Sequence, residues 1–337
     1  MTLLSKPIEL YNLKEVIDLN QADILEWLKF KGVFPSTKNC SKCGKSMKLI
    51  QRNDSIDGFS WRCTTDSKRC SLRDGTYLQN SRIDVKTFLK IVYFWAFQIR
   101  QVDQVSMISV DRHTIITYQQ KLRHLAISSF DIESIKLGGE GKVVEIDESL
   151  FVKVKHNKGK DLKRPQIWVF GLYERGTKLV LFIIVPKRDA YNLLNVIYKF
   201  VLPKTIIYSD CWRAYTRIRD LDKNFEHFTV NHNLFFVNPE NGVHTNSIES
   251  VWNSAKVHIK LMRGVSRDYL QSYLLEFCWR RSISRIATRF KLIKDSQSCI
   301  QENENVVSVI NNVLSKKGEK MKKQPVTPKK YNLRKRK

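Results

Sequence analysis

The chain has 337 residues, with 59 Lys and Arg against 33 Asp and Glu, a formal charge of +26, and an ordinary apolar content of 42%. That length accommodates two modest domains or one large domain with appendages. A surplus of this size opposes compaction unless a polyanion neutralises it, so nucleic acid is the expected partner, because phosphate contacts release counterions and give sequence-independent affinity. Residues 315–337 hold 11 basic residues and one Glu, which leaves most of the surplus in the body of the chain. The apolar runs Phe88–Phe97 and Leu179–Pro186 fall well short of the ~20 residues a membrane-spanning helix needs, so no membrane partner is expected. Met1–Lys6 is not followed by the apolar stretch and cleavage site of a secretory leader.

In chain order, residues 1–35 carry the spacing of short helices, with Leu10, Leu13, Val16 and Ile17 followed by Ile24, Trp27 and Leu28. Residues 36–80 hold four of the seven cysteines and few core-forming residues, which predicts a zinc-ribbon-like element. Cys40-x2-Cys43 and Cys63-x6-Cys70 supply two pairs of thiolates for a structural, tetrahedral Zn²⁺, although the second pair is unusually wide. Four reduced thiols in an ordinary loop is the competing interpretation.

Residues 81–137 return to helical periodicity, with Phe88, Ile91, Val92, Trp95 and Ala96 on one face. Val105–Ile108, then Thr114, Ile115, Tyr118 and Leu122, continue the pattern, and Asp111 marks the start of the last helix of a helix-turn-helix-like DNA-binding segment. Arg112 and Arg123, with His113, Gln119, Gln120 and Lys121, suit contacts to phosphates or base edges. An ordinary helical pair joining two elements is the alternative. Leu137–Gly141 then punctuates the chain as a domain boundary.

Residues 142–295 form the predicted catalytic domain. Lys142–Val152, Ile167–Tyr173 and Leu179–Val185 have strand character, Asp189–Val201 is helical, and Thr205–Ser209 is a fourth strand. Trp212–Leu221 is expected as a helix, Phe228–Asn231 as a fifth strand, and His244–Met262 and Arg267–Phe290 as helices. This is an α/β order, that of the ribonuclease-H-like fold with a mixed five-stranded sheet. The tail at 315–337, which replaces apolar residues with Pro, Lys and Arg, is expected to be disordered. Its ending Arg334–Lys337, with Lys329 and Lys330 upstream, fits a nuclear-import tag or a DNA-contacting arm, which makes the nucleus the expected location.

Three carboxylates fall where such a sheet would gather them. Asp147 lies in the first strand, Asp210 directly follows the fourth, and Glu249 lies in the first turns of the helix from His244. The first and fourth strands are neighbours in this fold, so their carboxylates converge and repel one another unless cations neutralise them. Two Mg²⁺ (or Mn²⁺) ions there would suit in-line phosphoryl displacement. Taken singly, each residue has an ordinary role open to it: Asp147 facing solvent, Asp210 capping a helix, Glu249 as a surface charge. Glu145 shares a face with Asp147, whereas Glu148 points the other way.

The run His244-Thr-Asn-Ser-Ile-Glu249-Ser-Val-Trp252 resembles the helix signature of Merlin-type DDE transposases, eukaryotic relatives of bacterial insertion-sequence transposases with an ISXO2-like domain. Val144–Ser149, Gln166–Gly171, Pro186–Ala190, Ser209–Tyr215 and Val230–His232 are similar to that family in the same order, over roughly residues 40–285. The resemblance implies that Asp147, Asp210 and Glu249 match a catalytic triad that cuts and joins DNA. Around it, Lys256 falls on nearly the face of Glu249, two turns on, and suits a phosphate contact, with a solvated lysine as the alternative. Asn246 shares that face, His244 is placed to orient the helix start, and His232 to approach the metals from the fifth strand. Trp252 and Trp212 are expected in the core. The function that follows is a cut-and-paste transposase acting on double-stranded DNA (terminal inverted repeats and target), as a homo-oligomer that pairs two ends. A domesticated, non-catalytic DNA-binding descendant is the alternative, and an RNA–DNA hybrid nuclease shares the metal chemistry but not the zinc element.

Overall fold

The computed structural model describes residues 12–130, 132–152 and 166–294; the readings for residues 1–11 and for the basic tail fall outside them. The chain divides into two units, one holding the described residues up to Ser129 and the other those from Phe130 to Lys294.

The first unit begins with two short capped helices. α1 (Leu13–Asp18) opens with a capping box in which Asn12 accepts from the Glu15 amide and the Glu15 carboxylate accepts from the Asn12 amide. Asn20 caps α2 (Gln21–Phe30), which buries Ile24, Leu25, Trp27 and Leu28. A three-stranded antiparallel sheet follows, β1 (Lys48–Gln51), β2 (Phe59–Arg62) and β3 (Arg69–Ser71). Its polar economy matches its sequence. Arg73 is buried in a two-pronged ion pair with Asp57 and also donates to the carbonyls of Ser81 and Ile83, so both charges are fully satisfied.

α3 (Val85–Ala96) is capped by Asp84 and buries Phe88, Ile91, Val92 and Trp95 of the predicted face, with Val85 and Leu89 added and Ala96 only half-buried. α4 (Gln101–Ile108) ends at Ser109 in the left-handed conformation, φ 52°. The Asp111 carboxylate then accepts from the amides of His113 and Thr114, starting α5 (Arg112–Ser129) where the sequence placed it. Gln119 donates to Gln104 at 2.9 Å in the buried seam between α4 and α5. Arg123 departs from expectation: it is only 4% exposed and is not on a DNA-contacting surface. The buried positions of α5 are Ile115, Tyr118, Gln119, Leu122, Arg123 and Ala126, a spacing of three and four that places Arg123 on the inward stripe.

In the second unit β4 (Leu137–Gly138) is followed by β5 (Val143–Val152), β6 (Ile167–Glu174) and β7 (Val180–Val185), an antiparallel meander. Asp189 caps α6 (Ala190–Phe200), which leads through β8 (Val201–Leu202) to β9 (Ile206–Asp210). β10 (Glu226–Val230), α7 (Asn246–Leu261) and α8 (Arg267–Lys294) complete the unit. The five-stranded sheet has the order β10-β9-β5-β6-β7, with β9 parallel to β5 and β10 parallel to β9. Leu137–Gly141, read from the sequence as a boundary, belongs to this unit: β4 pairs with β8, and the Gly139 amide donates to Thr205 Oγ1.

β7 reads Val-Leu-Phe-Ile-Ile-Val without alternation, as a strand packed on both faces does. One face receives α7 and α8, whose Ile248, Val251, Trp252, Ala255, Leu270, Leu274 and Cys278 close on Val169, Tyr173, Val180 and Phe182. Trp212–Leu221 is not a continuous helix but two 3₁₀ turns, Arg213–Tyr215 and Ile218–Asp220. Its apolar residues Trp212, Tyr215, Ile218 and Leu221 recur every third position, the repeat of a 3₁₀ turn and not of an α-helix.

Candidate active site

The site begins with strand register. β5 and β9 pair in parallel from Val143↔Ile206 to Glu145↔Tyr208. Asp147 and Asp210 each lie two residues further along, so both leave their strands on the same face and at the same level. Their proximity is electrostatic as well as geometric. Asp147 is held up at about 7, first by burial and then by the charges of Glu148 and Asp210. Glu148, on the opposite face, is likewise pushed to about 7 by burial, although Tyr215 donates to it at 2.6 Å.

α7 is fastened to this strand at two points. Its first turn is tied through Glu145, which is fully buried, accepts from the Ile248 amide at 2.9 Å and pairs with Arg175 at 2.6 Å. A buried carboxylate under a helix N-terminus is favoured by the helix dipole as well. Arg175 also donates to the His244 carbonyl and contacts its ring nitrogen, both at 2.9 Å. Glu145 is therefore occupied as an anchor, which removes it as a rival to Asp147. The second point is Trp252, whose Nε1–H donates to Asp147 Oδ2 at 3.0 Å.

Gly171 makes that second contact possible. It sits opposite Asp147 in the β5–β6 ladder, and a Cβ there would come 2.5 Å from Trp252 Cζ2. The bare backbone leaves a slot in which the indole lies flat, stacked on Phe182 at 4.0 Å and 10°. Trp252 is in the core as expected, but it also grips the carboxylate.

Glu249 lies one turn before Trp252 and is about half exposed. Its Oε1 accepts from Thr245 Oγ1 at 3.3 Å and is 3.4 Å from His232 Nε2, which itself lies 2.8 Å from Thr245 Oγ1. His232, just past β10, thus reaches the third carboxylate. His244 sits at the helix start against Arg175, its basicity lowered first by burial and then by that guanidinium. Asn246 is exposed at the first position of α7, and Lys256 places its ammonium 5.9 Å over the Phe151 ring. Arg112 is exposed at the start of α5 in the other unit.

Several contributors were not visible in the sequence. Arg188 is sandwiched between Trp168 and Trp212, 4.4 and 4.0 Å from their rings, and its charge opposes the upward shift of Glu148. Trp212 is not a core residue: it is 36% exposed, and its indole N–H donates to the Arg188 carbonyl. The Pro186–Ala190 motif had marked the segment, but nothing local announces its aromatic partners. Thr245, Tyr215 and Arg175 were likewise hidden, because their partners lie 4 to 69 residues away.

The thiols gather in the other unit, with one change of membership. Cys40, Cys43 and Cys63 converge with Asp66, one ligand atom from each lying within 4.8 Å of all the others. Cys70 is not in this group. It sits on β3 opposite Trp61 and directs its sulfur toward Met47 Sδ at 3.9 Å.

Comparisons with known proteins give the chain its relatives. A family profile described as the ISXO2-like transposase domain matches residues 136–282, from β4 into α8. An uncharacterized transposase-like protein of Haemophilus influenzae is 33% identical over 115 residues, covering 34% of this chain and 90% of that protein. Among solved structures, the catalytic core domain of BIV integrase aligns at 16% identity and TM-score 0.28, over 40% of this chain and 80% of that one. A simian T-cell lymphotropic virus intasome in complex with a PP2A regulatory subunit aligns at 11% identity and TM-score 0.28, over 55% and 66%. With a third of residues shared along nearly the whole of the Haemophilus relative, and the family profile spanning all five strands, this chain belongs to the ISXO2-like transposase family.

Proposed function

We propose that the second unit is a ribonuclease-H-like DDE catalytic domain that cleaves DNA strands at transposon ends and joins them to a target in a cut-and-paste reaction. One observation carries this reading: Asp147 and Asp210 leave adjacent parallel strands in register, and the helix bearing Glu249 is bonded through Trp252 to Asp147. The residues fit divalent cations. Burial first, and then the neighbouring charges of Glu148 and Asp210 on Asp147 and of Asp210 on Glu148, leave Asp147 and Glu148 holding protons near neutrality, a cost that Mg²⁺ or Mn²⁺ would relieve. Bound between Asp147, Asp210 and Glu249, two such ions would supply activation of the attacking oxygen and stabilisation of the leaving one.

The protein's own groups do the positioning. Trp252 and Gly171 fix the Asp147 carboxylate, while Thr245 and His232 orient Glu249. Arg188, braced by its two tryptophans, presents a planar cation near Glu148 that suits a DNA phosphate. Lys256 adds a basic group in the same unit and the exposed Arg112 adds one in the other, the Cys-rich element contributes structural zinc, and a homo-oligomer brings two ends together. The tail's Arg334–Lys337 supports action in the nucleus.

Mg²⁺-dependent nicking of DNA that carries the element's own flanking ends, with wild type beside Glu249→Gln, tests the proposal. Nicking by the wild type alone is the expected result. Binding by both proteins with cutting by neither, in Mg²⁺ and in Mn²⁺, would instead assign the chain to a DNA-binding descendant.

A further inference from the structure

Two turns in the first unit are built alike although their sequences differ. In the segment Cys40–Lys45 the Cys40 amide donates to the Lys45 carbonyl at 2.8 Å, and the fifth residue, Gly44, has φ +73°. In Cys63–Lys68 the Cys63 amide donates to the Lys68 carbonyl at 2.8 Å, and the fifth residue, Ser67, has φ 55°. Laid position on position, Cys40 matches Cys63, Gly44 matches Ser67, and Cys43 matches Asp66. A serine in the left-handed region costs roughly 1 kcal/mol or more, and such strain persists only where the surroundings impose the turn.

The distances within the group have the scale of a coordination shell. Zinc bound at about 2.3 Å to sulfur and about 2.0 Å to oxygen sets tetrahedral edges of roughly 3.4–3.8 Å. Cys43 Sγ lies 3.5 Å from Cys63 Sγ, far too long for a disulfide, and Cys40 Sγ lies 3.4 Å from Asp66 Oδ2. Each has the length of an edge of such a shell, and the two pairs share no atom. The Asp66 amide donates to Cys63 Sγ at 3.3 Å, an orienting bond from the ligand-bearing turn itself. Cys70, four residues on, is committed to the sheet and to Met47.

We propose that this element binds one zinc ion through Cys40, Cys43, Cys63 and Asp66, a three-sulfur, one-oxygen site in which Asp66 takes the fourth position and Cys70 takes none. The unusual Cys63–Cys70 spacing is thereby explained: the second turn is a C-x2-D knuckle of the same length as the C-x2-C one. A carboxylate is a harder ligand than a thiolate, so the site holds zinc less tightly than an all-cysteine version would.

The proposal rests on the reading of the element as zinc-bound, and the test separates the two. Zinc content and zinc-edge X-ray absorption are measured on the purified full chain, on Cys70→Ser and on Asp66→Cys. The expected result is one zinc per chain with three sulfurs and one oxygen in both the wild type and Cys70→Ser. Asp66→Cys should shift the shell to four sulfurs and retain zinc against a chelator more than about tenfold better. Four sulfurs in the wild type, with zinc lost in Cys70→Ser, overturns the ligand assignment while leaving the zinc reading intact. Absence of zinc from the wild type and from Asp66→Cys overturns both.

Discussion

The Cys-rich element and the carboxylate site are both candidate metal centres, yet they are assembled in opposite ways. In the first, four ligand atoms lie within 4.8 Å of one another around a sheet with a small core. In the second, the three carboxylates come from two strands and a helix, and each is held by a separate protein contact: Trp252 on Asp147, the Trp212 amide on Asp210, Thr245 on Glu249. A closed, sulfur-rich shell suits an ion that completes the fold, whereas a half-open carboxylate set on a rigid sheet suits ions that meet substrate. Removing metal should therefore undo the first site and leave the architecture of the second standing.

The largest effect that would sharpen this contrast is Cys63→Ser. It should expose residues 36–80 to limited proteolysis, as stripping zinc from wild type would, while residues 136–282 remain protected. Equal protection of both stretches in the variant would show that the small sheet folds without its metal. Next comes Glu145→Ala, which leaves Arg175 without its carboxylate and frees the start of α7. A loss of about 3–5 kcal/mol in denaturant-induced unfolding is expected, against little change for an exposed pair such as Lys204–Glu140.

Gly171→Ala should cost roughly 1–3 kcal/mol, because the new methyl meets the Trp252 ring. It should also weaken divalent-ion binding in calorimetry by loosening Asp147, an effect a purely structural role for Trp252 would not produce. The smallest effect concerns pH. Asp147 keeps a proton to about 7 in the folded protein but loses it near 4 when unfolded. Between those values the folded state binds more protons, so metal-free stability falls as pH rises from about 4 through 7 and levels off above. At pH 8 without metal, Asp147→Asn should be stabilised by roughly 1–2 kcal/mol, and added Mg²⁺ should reverse the order. A variant less stable than wild type under those metal-free conditions would remove the argument that cations relieve crowded charge here.

What was legible beforehand was local. Asp111 and Asp189 announced helix starts because a cap acts within three residues, and β6 and β7 announced themselves through runs of apolar residues. The motifs around Asp147, Asp210 and Glu249 were readable for the same reason: each is a short stretch bound to one element. Arg123 was misread because a charged residue on a helix says nothing about which way its stripe faces until its neighbours are packed. Trp212 was misread because an exposed aromatic stacked on Arg188 has the same spelling as a buried one.

The sequence by itself determined the order of the five main strands and of the long helices around them, the basic character of the chain, and which carboxylates and thiols were candidates for the two sites. Only the tertiary structure decided that Glu145 is an anchor, that Gly171 opens a slot for Trp252, and that Asp66, not Cys70, lies beside the three clustered thiols. The physical reason is common to all three. Each depends on distances between segments that are remote in the chain or on the path of a turn, and a side chain's chemistry is fixed by its type while its partners are fixed by packing.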